Sequence, residues 1–200
     1  RFCYAMDLSG FSELQDQMKA YLIDKGEMTV VKKALPIKKI KSQLGTEIVK
    51  RDLSGISKTF NGLVEHDVEQ VIQLLHNSKK IHLLGFRQSA PAAFWLYNNL
   101  MMLREQVFFI QHEADHIARQ LAIMDEDSLL VVISLDEEYE DVATTGEIAK
   151  RKNVQVIAIR DKALQTPEPA DTVLFVPSTH EGGATCTIAI FALLHVLVEA

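Results

Sequence analysis

The chain has 200 residues, a formal net charge of −6 and 48% hydrophobic residues, which suits one ordinary globular domain or one domain with an appendage. The mildly acidic balance argues against a surface of basic patches for nucleic acid, though not against a small separate DNA-binding module. Cys3 and Cys186 lie far apart and fit no metal spacing, which points to a reducing, cytoplasmic setting. No apolar run reaches the roughly 18 residues of a membrane span, and no signal peptide is expected.

The chain opens on Arg1, which suggests a piece of a longer protein. Residues 1–23 read as helix, turn, helix. Phe2, Cys3, Ala5 and Met6 form a short helical face, and Ser12 with Gln15 makes a capping box for a second helix. Two short helices cannot bury a core alone. Residues 24–52 carry eight scattered lysines and arginines with Gly26, Pro36 and Gly45. This is a linker composition, solvated or in touch with DNA phosphates. Residues 53–78 turn helical, with Ile56, Phe60, Leu63 and Val64 expected on one face and a second helix from Asp67.

Lys80 to Ala93, KIHLLGFRQSAPAA, is the stretch around which the rest of the chain is organised. Ile81, Leu83 and Leu84 form a short apolar run that reads as a buried strand of a parallel sheet. Gly85 ends it, and Phe86, Arg87 and Gln88 turn the chain. Ser89, just before Pro91, is the expected N-cap of a helix through Leu103. A hydroxyl, an arginine and free N–H groups at such a junction suit an anion, while a capped helix with a surface arginine is the plain alternative.

From there the alternation is regular. Strands are expected at Ile81–Leu84, Val107–Ile110, Leu129–Ile133, Val154–Ile159 and Val173–Val176. Helices are expected at Ala92–Leu103, Asp115–Met124, Tyr139–Arg151 and Thr185–Leu197. This pattern implies a five-stranded parallel sheet with helices on both faces. Ligands then bind outside the carboxyl ends of the strands. That edge collects Gly85–Ser89, Gln111–Asp115, Ser134–Glu140, Arg160–Lys162 and Pro177–Thr185.

His112-Glu113-Ala114-Asp115-His116 matches H-E-x-x-H, the zinc-protease signature. That chemistry needs both imidazoles on one face of an established helix. Here the motif directly follows a strand, so it reads as a polar loop and no metal is expected. Thr179-His180-Glu181-Gly182-Gly183 precedes the last helix and could close over a ligand or serve as a capping loop. No paired base can be placed beside His180 or Glu181, so no catalytic residue is expected. Met101 and Met102 read as core or dimer contact. The last helix is apolar nearly all round, which suggests burial at a subunit interface.

The order of these pieces resembles the C-terminal part of the RpiR/MurR family of bacterial transcriptional regulators, which join a helix-turn-helix domain to a SIS (sugar isomerase) domain. RFCYAMDLSGFSELQDQMKAYL is similar to the end of the helix-turn-helix domain, with Arg1 in the recognition helix and hence a DNA-contacting residue. GFRQSAPAA resembles the first phosphate-site loop of SIS domains, and VIAIRDKALQTPEPADTVLFVP the fourth strand, loop and fifth strand. The resemblance implies a flavodoxin-like SIS domain over residues 61–200. Residues 1–23 would be a helix-turn-helix remnant and 24–60 a linker and helical arm. It also implies a homodimer, with tetramers left open, that senses a phosphorylated sugar or similar metabolite.

Two departures stand out. Arg87 occupies the place of a second family glycine. Ser134-Leu135-Asp136-Glu137-Glu138-Tyr139 replaces a Ser-x-Ser-Gly-x-Thr-like segment, so that the second serine, the glycine and the threonine become Asp136, Glu137 and Tyr139. At an effective dielectric of about 20, one like-charge pair at ~4 Å costs on the order of 4 kcal/mol. The acids therefore either suit an unphosphorylated ligand, whose hydroxyls ionised carboxylates accept, or point into solvent as the charged first turn of the next helix.

The expected function is an effector-sensing, DNA-binding regulator and not an enzyme, without cofactor. The effector residues would be Arg87, Gln88, Ser89, Ser134, Asp136, Tyr139, His180 and Glu181. The alternatives are a SIS-type phosphosugar isomerase or lyase and a ligand-free dimerisation module.

Overall fold

The structure, a computed structural model, describes residues 42–135, 140–162, 164, 169–177 and 187–200, with Glu13 and Gln17. The backbone divides into two units, Arg1–Ser42 and Gln43–Ala200. Glu13 and Gln17 of the first are helical.

Two helices come first, α1 (Ser42–Gly62) and α2 (Glu65–Asn77). Strands and helices then alternate: β1 (Lys80–Leu84), α3 (Ala90–Leu103), β2 (Val107–Ile110), α4 (Ala114–Ile123), β3 (Ser128–Ser134), α5 (Glu140–Arg151), β4 (Gln155–Asp161), β5 (Thr172–Val176) and α6 (Thr187–Glu199). The strands form one parallel sheet in the order β2-β1-β3-β4-β5. Each strand and helix from β1 onward lies within two residues of its expected bounds, because apolar runs of strand length between turn residues have few other ways to be buried.

Strand alternation sorts the core into two layers. Ile81, Leu83, Val131, Ile157 and Leu174 point to the face covered by α2, α3 and α6. Leu84, Leu130, Val132 and Val156 point to the face covered by α4 and α5. Burying a leucine or isoleucine fully contributes about 1.5–3 kcal/mol, so the doubly covered central strands carry much of the stability. The second layer holds one ring of different chemistry. His82 of β1 is fully buried, stacks on Phe108 at 4.9 Å, and its Nδ1 meets Gln120 Oε1 at 3.0 Å. Desolvation depresses its pKa to about 4, so at neutral pH the ring is uncharged, with Nδ1–H donating to the amide oxygen.

Three expectations are corrected. Residues 42–52 are not linker but the first half of α1. The lysines that precede this stretch suggest a linker, whereas the helix is anchored further along, where Ile56 and Phe60 pack on the first core layer. Val64 does not share that face: it sits at the break before α2 and is exposed. In the last helix Ala189, Ile190, Leu193, Leu194 and Leu197 are buried in the chain's own core, while Ile188 and Val196 are exposed. Conversely Met101 and Met102 are exposed rather than core.

Candidate functional site

In the order β2-β1-β3 the chain leaves β1 toward one side and later returns to its other side. The carboxyl ends of β1 and β3 therefore flank a point where successive connections diverge, and a crevice opens there in sheets of this kind. Two loops meet at it.

The first runs from Gly85 to Ser89. A Cβ on Gly85 would lie 2.8 Å from Ala93 Cβ and 2.9 Å from the Ser89 carbonyl oxygen, so the turn closes only around a glycine. Arg87, where the family pattern has its second glycine, takes φ 49°, in the left-handed region that glycine occupies freely. Arg87 and Gln88 are exposed and Ser89 is buried. Pro91 lies in the first turn of α3 as expected.

The second loop leaves β3 at Ser134, which is also buried. Ser89 does not cap α3, which is the expectation corrected here: its side chain makes no capping hydrogen bond. Its Oγ instead accepts the Leu135 backbone N–H at 3.0 Å. The hydroxyl thus ties the end of β1's loop to the end of β3 across 46 residues of sequence. Of the expected effector residues, Arg87, Gln88, Ser89 and Ser134 come together at this edge. Asp136, Tyr139, His180 and Glu181, and Arg1 for DNA, lie outside the described residues.

The histidine motif sits beside this point but in two separate roles. His112 belongs to the loop after β2, while α4 begins only at Ala114. The His112 ring stacks on buried Phe86 at 4.1 Å, and its Nε2 lies 3.2 Å from Asp141 Oδ2 in the first turn of α5. His116 Nδ1 accepts the Gln111 N–H at 3.0 Å. The two rings therefore serve different partners. Among the described residues no group of three or more metal-ligating side chains converges. Glu140 and Asp141 form the exposed, acidic first turn of α5, as the solvated alternative has it for those two positions.

The sequence places Arg160 at this edge but does not single it out. It is 5% exposed and stands in register with Ser134 on one side and Phe175 on the other. An arginine closing an apolar strand was the available signal; its burial was not readable without the sheet order. The edge thus gathers buried Ser89, Ser134 and Arg160 beside the backbone of two loops.

The SIS domain family matches residues 74–200. An uncharacterized HTH-type transcriptional regulator of Thermotoga maritima is 24% identical over 181 residues, covering 90% of this chain and 64% of the relative. The chain thus spans a little under two thirds of that protein's length. The sugar isomerase domain of an RpiR transcription factor from Sphaerobacter thermophilus has a TM-score of 0.72 at 19% identity, covering 79% of this chain and 89% of the other. Vibrio vulnificus NanR, complexed with ManNAc-6P, has a TM-score of 0.68 at 14% identity, covering 98% of this chain and 70% of that one. A phosphoheptose isomerase from Francisella tularensis has a TM-score of 0.64 at 18% identity, covering 80% of this chain and 97% of its own. These structures share the parallel-sheet fold, and the match over residues 74–200 fixes its kinship: the chain belongs to the SIS domain family.

Proposed function

We propose that this chain is the effector-sensing part of a DNA-binding transcriptional regulator of the RpiR/MurR type. Its SIS domain would bind a sugar or sugar-phosphate-like metabolite at the β1/β3 edge. One observation carries the choice of regulator over enzyme. The likeness to regulators runs through the N-terminal part, covering 90% of this chain for the Thermotoga protein and 98% for NanR, whereas the isomerase covers 80%. Effector binding would bias the placement of the DNA-binding parts through the lysine-rich stretch that precedes α1, as a population shift. The same reading implies a cytoplasmic setting; no helix among the described residues is long and apolar enough to cross a membrane. It also implies a homodimer, for which exposed Phe94, Met101, Met102 and Leu103 on α3 and Val196 on α6 supply apolar surface.

A thermal-shift screen against sugar phosphates, free polyols, amino sugars and sugar acids tests the reading, with Ser89→Ala as control. The expected result is a compound that stabilises the chain and fails to stabilise the variant. The isomerase reading is favoured by the fold it shares with the Francisella enzyme. Turnover of an aldose or ketose phosphate by the purified chain would put that reading first.

A further inference from the structure

We infer that His112 is a positioning residue of the carboxyl edge, which ties the β1 loop to the start of α5 with a strength that follows pH between about 5 and 8. The inference rests on the β1/β3 edge being the effector site. The imidazole comes from the loop after β2 and touches two other elements. It lies flat on Phe86 of the β1 loop, with ring centroids 4.1 Å apart and planes 21° from parallel. Its Nε2 lies 3.2 Å from Asp141 Oδ2 in the first turn of α5. Phe86 is buried and shares its loop with Ser89, whose Oγ accepts the Leu135 N–H. One short loop is thus tied twice. Ser89 binds it to the end of β3, and Phe86, through His112, binds it to the start of the next helix.

Protonation strengthens both contacts of the ring. The hydrogen bond to Asp141 becomes a charge-assisted one, and the stack on Phe86 gains the attraction of a cation for an aromatic face. In the segments that meet at the ring the charged and titratable groups are Arg87 in the β1 loop, Glu113, Asp115 and His116 in its own loop and the first turn of α4, and Glu140 and Asp141 in the first turn of α5. Four carboxylates outnumber one guanidinium, and Glu140 and Asp141 offset the positive end of the α5 dipole, so the ring takes its charge in an acidic setting. The pair with Asp141 is partly open to water, which holds its effect to a few-fold. A loop that spends part of its time away from the bound geometry binds more weakly in proportion. A firmer tie therefore raises effector affinity as the pH falls.

The test compares hydrogen exchange of the full chain at about pH 5.5 and about pH 8, the two sides of the imidazole range, corrected for intrinsic rates. Beside it stands calorimetric titration at both pH values with glucose 6-phosphate, gluconate, glucosamine and sorbitol. Wild type, His112→Phe, Asp141→Asn, His116→Gln and Ser89→Ala are studied together. The amides of residues 86–89 should be ~3- to 10-fold better protected at the lower pH, and the tightest probe should gain affinity by a like factor. His112→Phe, which keeps a flat ring on Phe86 without a charge, abolishes the protection difference. Affinity is read as the wild-type ratio divided by that of His112→Phe, which cancels titration of the probe itself. Asp141→Asn loses part of both differences. His116→Gln keeps them, since His116 Nδ1 serves the Gln111 N–H instead. Differences that survive in His112→Phe, or that are lost in His116→Gln alone, with Ser89→Ala still abolishing binding, would overturn the role of His112 and leave the site standing. So would wild-type protection and affinity that do not change with pH. Binding untouched by Ser89→Ala, or no probe bound at either pH, would overturn the site reading and the inference with it.

Discussion

The two edges of the sheet handle charge in opposite ways. At the amino edge the charged groups are ion pairs at the surface, beside buried Ser128, which hydrogen-bonds Asp125, and buried Thr172. Lys79 meets Asp127 at 2.7 Å and Lys80 meets Asp125 at 2.5 Å, joining the starts of β1 and β3. Lys150 and Asp171 form a further pair near the start of β4. At the carboxyl edge Ser89, Ser134, Arg160 and Asp161 are buried, and the link between β1's loop and β3 is a hydroxyl–backbone hydrogen bond. Exposed pairs gain little because water screens them. Buried polar groups are costly unless each is satisfied. One edge keeps its charged side chains at the surface, and the other keeps an arginine and an aspartate buried.

The largest effect should come from breaking the carboxyl edge itself. Gly85→Val forces a side chain against Ala93 and the Ser89 carbonyl. It should cost about 3 kcal/mol or more, at the upper end for overpacking, as read by urea unfolding. A loss near zero would mean that the β1 loop adapts freely and is no rigid platform.

The body of the sheet between the edges supplies the next. Folded His82 takes up its proton only near pH 4, whereas the unfolded chain takes it up near 6.5. Between these values the unfolded state binds more protons, so stability falls as the pH is lowered through this window. At about 1.4 kcal/mol per pH unit the loss approaches about 3 kcal/mol. His82→Gln should remove that share of the slope. An unchanged slope would show that His82 is not shielded from water.

Ser89→Ala leaves the Leu135 N–H without its acceptor and should cost ~1–3 kcal/mol. The smallest change belongs to the amino edge. The Asp127 carboxylate beside Lys79 raises the lysine's pKa, but both partners are exposed. Lys79→Ala should shift the melting temperature least of the set, and that shift should vanish at about 1 M salt, where screening reaches ~3 Å. A loss comparable to that of Ser89→Ala would erase the contrast between the edges.

The sheet was legible because its strands are short runs of Val, Ile and Leu, buried on both faces, and such runs announce themselves without alternation. The Gly85–Ser89 loop was legible for a related reason: glycine and proline mark where a strand must stop and a helix can start. What escaped was long-range. Ser89 has the local look of an N-cap, and only the β1/β3 pairing brings Leu135 to it. Arg160 closes a strand in a way that suits an exposed rim equally well, and its burial depends on strand order and on α5. The start of α1 escaped because its anchoring residues, Ile56 and Phe60, lie beyond the lysines that suggest a linker. The histidine motif was read correctly as straddling a strand–helix junction, since only Gln111 separates its first histidine from β2 and α4 starts after Glu113.

The most direct measurement of ligand binding at the carboxyl edge is hydrogen exchange, with and without the screened compound that gives the largest thermal shift. Slower exchange is expected at residues 85–89 and at Leu135, with the amides around Lys79, Lys80 and Asp125–Ser128 unchanged. Protection confined to the amino edge or to the exposed faces of α3 and α6, or no compound that protects any of these amides, would contradict a site at the β1/β3 edge.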